Sequence, residues 1–206
     1  MMRLLPVLIS FSMTTLAGPV EELDKCLTQE NLERIEKNEL VVYKMGAKDA
    51  DGSAQAFGRV LTIINRPKQD IWRLLSHAEE HLNYQPHLVA VARYKTEDGQ
   101  EGLKETVRVA FKTFTYHIIE TYDEEAGVIT WRLDKSRENS IRDTRGSWVI
   151  RPHGEDRCIV MYTIAVDSGT VFPKFIENIV FNKDLPTVVK SMKKYLEDQK
   201  KQDADE

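Results

Sequence analysis

An excess of positive charge is missing from this sequence. Its 29 Lys and Arg stand against 33 Asp and Glu, a formal net charge of −4. Phosphate-binding surfaces usually show a concentrated surplus of Lys and Arg, so nucleic acid is not expected as a partner. Glycine is sparse, with 10 residues, and none of them builds a phosphate-cradling loop. Gly146-Ser147 lacks the surrounding G-x-S-x-G elbow and lies on an expected strand, which argues against hydrolase chemistry. Internal repeats are absent, and the one low-complexity tract is the polar tail after Leu196. One domain is therefore enough to account for the chain.

Long apolar runs are also lacking, with one short exception. Met1-Met2-Arg3 gives a basic start, and LLPVLISFSMTTLAG follows without a charge. That run is too short for a comfortable membrane span. Thr15-Leu16-Ala17 places small residues where a signal peptidase inspects them. A cleaved secretory signal over 1–17 is expected, with an uncleaved anchor or a buried helix as the alternative. No Cys follows the small residues, which argues against a lipid anchor at this site. Export would place the protein in a periplasm or outside the cell, in an oxidising compartment. The chain has two cysteines, Cys26 and Cys158. They could form one bridge or stay free, because sequence spacing does not show whether they are close enough.

What is present is a change of period. Thr28 can cap a short helix over 28–37, which Asn38 can end. Strands are expected at 40–44 and 56–65, and Pro67 opens a short helix, PKQDIWRLLSH. His77 to His87 is polar and reads as a helix end and loop. From Leu88 the period is two, with strands at 88–96, 103–112, 114–123, 127–134, 142–151 and 158–167. Asp98-Gly99, Glu125-Ala126-Gly127 and His153-Gly154 supply turns. Val171–Gln199 then returns to helical spacing, and Pro186 predicts a kink or a break around Asn182–Asp184. Strands segregated from one long terminal helix give an α+β fold. A curved antiparallel sheet wrapped around that helix satisfies the order.

At this point the chain resembles the START-like (SRPBCC) superfamily, the helix-grip fold of polyketide cyclases and coenzyme Q-binding proteins, and its exported bacterial members in particular. The likeness rests on 60–91, on VITWRLD (128–134), on RGSWVIRP (145–152) with IVMYTIAVD (159–167), and on 171–196. It implies one domain over 18–197, with a polar disordered tail at 198–206. It also implies a cavity between sheet and helix that holds a lipid, isoprenoid or other apolar small molecule. No cofactor, metal or shared catalytic residue comes with it. The chain is expected to act as a monomer, with at most transient membrane contact.

Residue parity names the cavity candidates. Tyr116, Trp131, Trp148 and Tyr162 lie on strands, and Phe175, Ile179 and Val188 lie on the terminal helix. Plain core packing is the bland alternative for each of them. His117 could orient a ligand, or act as acid or base if the cavity houses a cyclase or dehydratase. It cannot face inward together with Tyr116. Arg145 and Glu105 could also orient a ligand if they faced inward, but the surface is the expected place for both. His77-Ala78-Glu79-Glu80-His81 matches H-x-x-E-H, but at the end of a short helix it reads as a solvated polar stretch rather than a zinc site. A third class, an envelope interaction protein whose cavity is filled by its own side chains, stays open.

Overall fold

The structure, a computed structural model, describes residues 18–48, 54–109, 111–167 and 185–205. Eight strands form one antiparallel sheet: β1 (Val41–Lys48), β2 (Ala54–Ile64), β3 (Leu88–Lys95), β4 (Glu101–Val109), β5 (Lys112–Asp123), β6 (Val128–Leu133), β7 (Asp143–Pro152) and β8 (Cys158–Asp167). Their spatial order is β1-β2-β8-β7-β6-β5-β4-β3. Helices α1 (Pro19–Cys26) and α2 (Gln29–Glu36) precede the sheet, and α3 (Lys68–Ser76) and the short α4 (His81–Tyr84) connect β2 to β3. Helix α5 (Leu185–Asp205) ends the chain. This is the expected helix-grip arrangement.

Turn chemistry sets the strand boundaries. Gly127 has φ 69°, and a Cβ there would lie 2.4 Å from the Ile150 carbonyl oxygen. Only glycine fits both demands. Asn38 follows α2 with φ 66°, a left-handed conformation that asparagine tolerates. Thr28 caps α2 by accepting a hydrogen bond from the Asn31 amide at 3.2 Å. Thr28→Ala is expected to lower unfolding free energy by about 1 kcal/mol in urea titration.

The sheet is covered on both faces. On the inner face Val60, Ile64, Ile129, Ile150 and Val160 pack with α3 and with Val189, Met192 and Leu196 of α5. On the outer face Leu61, Ile63, Val149, Ile159 and Met161 receive Leu23 and Cys26 of α1 and Ile35 of α2. Apolar residues of both parities on β2, β7 and β8 explain this second layer, because strands buried on both sides cannot alternate. The sequence did not predict α1.

The two cysteines are separated by the same division. Cys26 belongs to the outer layer and Cys158 to the inner one, and both are buried and free. The bridge that sequence allowed is not formed. Burial pushes the Cys158 thiol up to about 11, so it stays protonated and unreactive near neutrality.

Helix α5 corrects the expected tail. It runs through Asp205, where an irregular segment was expected from residue 198. Lys194 pairs with Asp198 and Lys193 with Glu197, four residues apart in each case, a spacing that supports helix. Lys193 is itself buried and donates to the Ile63 carbonyl. Glu197 accepts from the Asn65 amide and side chain at 3.1 and 2.8 Å. These contacts fasten the helix to the end of β2. Pro186 is the second residue of α5, inside a first turn, where its missing N–H disrupts nothing. The expected break at 182–184 lies outside the described residues.

Candidate ligand cavity

Strand register decides what faces the helix. Glu105 pairs with Tyr116 across β4–β5, Glu120 with Trp131 across β5–β6, and Trp148 with Tyr162 across β7–β8. All six point inward, because residues of one parity share a face. They surround two joined chambers that share Gln85, Tyr116, Thr144, Tyr162 and Ile164.

The outer chamber has a volume of about 140 Å³ and is apolar. Leu88, Val107, Phe114, Ile141 and Val166 form its walls, and Leu185 and Val188 at the start of α5 form its roof. Gln85, Pro86 and His87 stand at its edge. That segment is tied to α5, since the Tyr195 hydroxyl donates to Glu80 and accepts from Asn83, each at 3.2 Å.

The inner chamber, about 60 Å³, is of different character. Trp148 and Tyr162 stack at 4.2 Å between ring centroids, and Trp131 lies 5.7 Å from Tyr162. Against this aromatic wall stand two carboxyl groups and an imidazole. Glu105 and Glu120 are 7% and 8% exposed, and His81 is 5% exposed. Tyr116 hydrogen-bonds to Glu105, and the Tyr122 hydroxyl donates to Glu120. Burial disfavours the charged form of an acid. It raises Glu105 above its ordinary value and pushes Glu120 up to about 7, with the Tyr122 hydrogen bond opposing.

His81 has one satisfied nitrogen. Its Nε2 lies 2.9 Å from the Leu75 carbonyl, which can only accept, so Nε2 carries the proton. Nδ1 is then a bare acceptor, buried and without a hydrogen-bond partner among the described residues. Burial lowers the histidine's pKa and keeps the ring neutral.

Of the sequence candidates, Tyr116, Trp131, Trp148, Tyr162 and Val188 line the two chambers. Phe175 and Ile179 fall outside the described residues. His117 does not belong with them. It lies on the opposite face of β5, edge-on to Tyr94 at 5.6 Å, with its backbone amide donating to Asn139 at 2.7 Å. Parity with Tyr116 forces that placement, so His117 cannot serve as the cavity's acid or base. Arg145 is exposed, as expected. Glu105, expected at the surface, is inside, because its cross-strand partner is the inward Tyr116.

Sequence reasoning passed over Glu120 and misplaced His81. Glu120 was available by carrying the parity of Tyr116 and Ile118 two residues further. His81 gave less signal. A 3₁₀ turn at Ala78–Glu80 separates it from α3, which rotates it inward while His77 stays outside on the Arg73 carbonyl at 2.8 Å. The two histidines therefore do not share a helix face, and zinc chelation by the H-x-x-E-H pattern is not set up.

Comparisons with known proteins agree with this geometry. The family model described as polyketide cyclase / dehydrase and lipid transport matches residues 59–198. No curated protein matches the chain. Among solved structures, the Zhui aromatase/cyclase from a Streptomyces species superposes with a TM-score of 0.59 at 14% identity, covering 69% of this chain and 94% of that one. A START superfamily protein from Mycobacterium smegmatis gives 0.58 at 13% identity, covering 69% and 98%. A STAR-related lipid transfer protein from Xanthomonas axonopodis gives 0.54 at 18% identity, covering 75% and 98%. These similarities show a shared fold. With the family model spanning most of its length and the helix-grip sheet, helix and cavity in place, the chain belongs to the polyketide cyclase / dehydrase and lipid transport family of the START-like superfamily.

Proposed function

We propose that this chain binds a small molecule with a substantial apolar body, a lipid or isoprenoid being the leading classes, and carries it outside the cytoplasm. One observation supports this most: an apolar chamber roofed by α5 continues into a narrower one lined by aromatic rings. Binding would then be burial. Each methylene that leaves water for such a chamber contributes about 0.8 kcal/mol, before the losses of translational and rotational freedom. Admission of the ligand requires the 80–87 segment to part from α5, which breaks the hydrogen bonds at Tyr195. The secretory signal expected over 1–17 supports the location.

The test is capture. The chain from Gly18 onward, incubated with vesicles of bacterial lipid extract and re-isolated, is expected to carry a lipid or isoprenoid adduct in native mass spectrometry. Val188→Trp, which fills the outer chamber from its roof, is expected to remove the adduct while circular dichroism stays unchanged. Absence of any adduct across phospholipid, isoprenoid and neutral lipid classes would reject this reading.

A second reading, cyclase or dehydratase chemistry in the same cavity, is favoured by Glu120. A buried carboxyl group pushed up to about 7 suits proton transfer near neutral pH. A captured ligand that loses water on standing with wild type, but not with Glu120→Gln, would select it.

A further inference from the structure

We infer that the ligand carries a protonated amine at one end of its apolar body, and that this ammonium seats in the inner chamber among Glu105, Glu120 and His81 Nδ1. The inference rests on the cavity being a ligand site, and it concerns which head group that site accepts.

The chemistry of the inner chamber is one-sided. Among the described residues, neither chamber is lined by a lysine or an arginine. The nearby guanidinium, Arg93, lines neither chamber: it donates to the Ser76 carbonyl at 2.7 Å, lies 3.6 Å from Glu79 and reaches Glu120 only through Tyr122, which it hydrogen-bonds. A carboxylate or phosphate head would therefore find no cationic counter-charge in the lining, and an unpaired charge in a largely buried site is severely disfavoured. His81 narrows the choice further. Its buried Nδ1 has no partner among the described residues, and a lone pair is satisfied only by a donor. A ketone or ester head offers none.

An alcohol offers one donor, and an ammonium offers three. Two carboxyls and an imidazole line this chamber and can accept them. The stacked faces of Trp131, Tyr162 and Trp148 add a surface that attracts cations. Burial raises both acids above their ordinary values, and an entering ammonium supplies a counter-charge that favours their ionised forms. Each carboxyl that ionises on binding releases its proton to the solvent. Tyr84, Tyr116, Tyr122 and Tyr162, the other titratable groups around the two acids, are held above their ordinary values by burial and take no part near neutrality.

The experiment uses n-octylamine, n-octanol and n-octanoate, which share a chain and differ in head. Isothermal titration into the chain from Gly18 onward, at about pH 6, below the value of about 7 to which burial pushes Glu120, is expected to rank the amine at least about tenfold above the alcohol, with octanoate weakest. The amine alone is expected to release protons, read as a dependence of the observed heat on the ionisation enthalpy of the buffer. In Glu120→Gln and Glu105→Gln the ratio of amine to alcohol affinity is expected to fall toward one, a readout that a merely destabilised protein would not give. Alcohol binding as tightly as the amine, with neither variant altering the ratio, would overturn the head-group assignment and leave the cavity reading intact. Octanoate binding tightest would overturn it as well. Failure of all three to bind would reject both.

Discussion

Gly146→Val is expected to lower the free energy of unfolding by about 3 kcal/mol, at the upper end for overpacking. It is also expected to disable the cavity in whatever fraction still folds. Gly146 pairs with Trp131 on β6 and with Ile164 on β8. A Cβ built on it would lie 2.1 Å from the Trp131 ring and 2.3 Å from the Thr163 carbonyl oxygen. The indole could swing away, but the carbonyl belongs to the sheet backbone and cannot move without disturbing the β7–β8 ladder. Aromatic residues commonly cover a cross-strand glycine in this way, and here the cover is functional, because the same indole closes the inner chamber. Urea unfolding gives the first effect, and the near-ultraviolet dichroism of the tryptophans gives the second. An unchanged midpoint together with an unchanged tryptophan spectrum would mean that the ring is not seated over Gly146.

The same glycine illustrates what a reader of the sequence could and could not see. All eight strands were visible, because alternation and Gly-bearing turns are local signals. The terminal helix was visible from its apolar stripe. Parity within each strand marked out Tyr116, Trp131, Trp148 and Tyr162, and their assembly around a cavity followed from the resemblance to a fold whose sheet curves. What stayed hidden depended on non-local geometry. Glu105 faces inward because of its register with Tyr116, and register between strands is not written in either strand alone. His81 faces inward because a 3₁₀ turn rotates it, and three residues of Ala-Glu-Glu carry no distinct signal for that turn. His117 was the opposite error: a histidine beside an inward tyrosine attracts attention, although the pleat assigns it to the other face. Helix α1 was overlooked because its partner surface, the outer face of β2, β7 and β8, is assembled from three distant segments. The H-x-x-E-H pattern was discounted for its short helix, and it held a functional candidate all the same, a single imidazole rather than a metal pair.

Glu120→Gln is expected to stabilise the protein at alkaline pH, and the sign follows from linkage. The carboxyl has an ordinary value of 4.5 and is raised to about 7 in the fold, chiefly by burial. Below 4.5 both the folded and unfolded states hold the proton, and the group favours neither. Between 4.5 and about 7 the unfolded chain releases it while the folded chain retains it, so stability declines as pH rises. Above about 7 the decline levels off, with about 3 kcal/mol lost in total. Glutamine keeps an acceptor for the Tyr122 hydroxyl and removes the titration. Wild type and variant are therefore expected to unfold at similar urea concentrations near pH 4, and the variant is expected to be the more stable by about 3 kcal/mol near pH 8. Glu105, Tyr122 and Arg93, the charged and titratable neighbours of Glu120, are common to both proteins and cancel in the comparison. An identical difference at both pH values would show that Glu120 ionises freely in the fold. A destabilisation of this size, retained in a chamber where glutamine would fit, is what a binding site imposes when its counter-charge arrives with the ligand. Saturating octylamine is accordingly expected to flatten the wild-type pH dependence and to change that of the variant, which keeps Glu105 alone, by less.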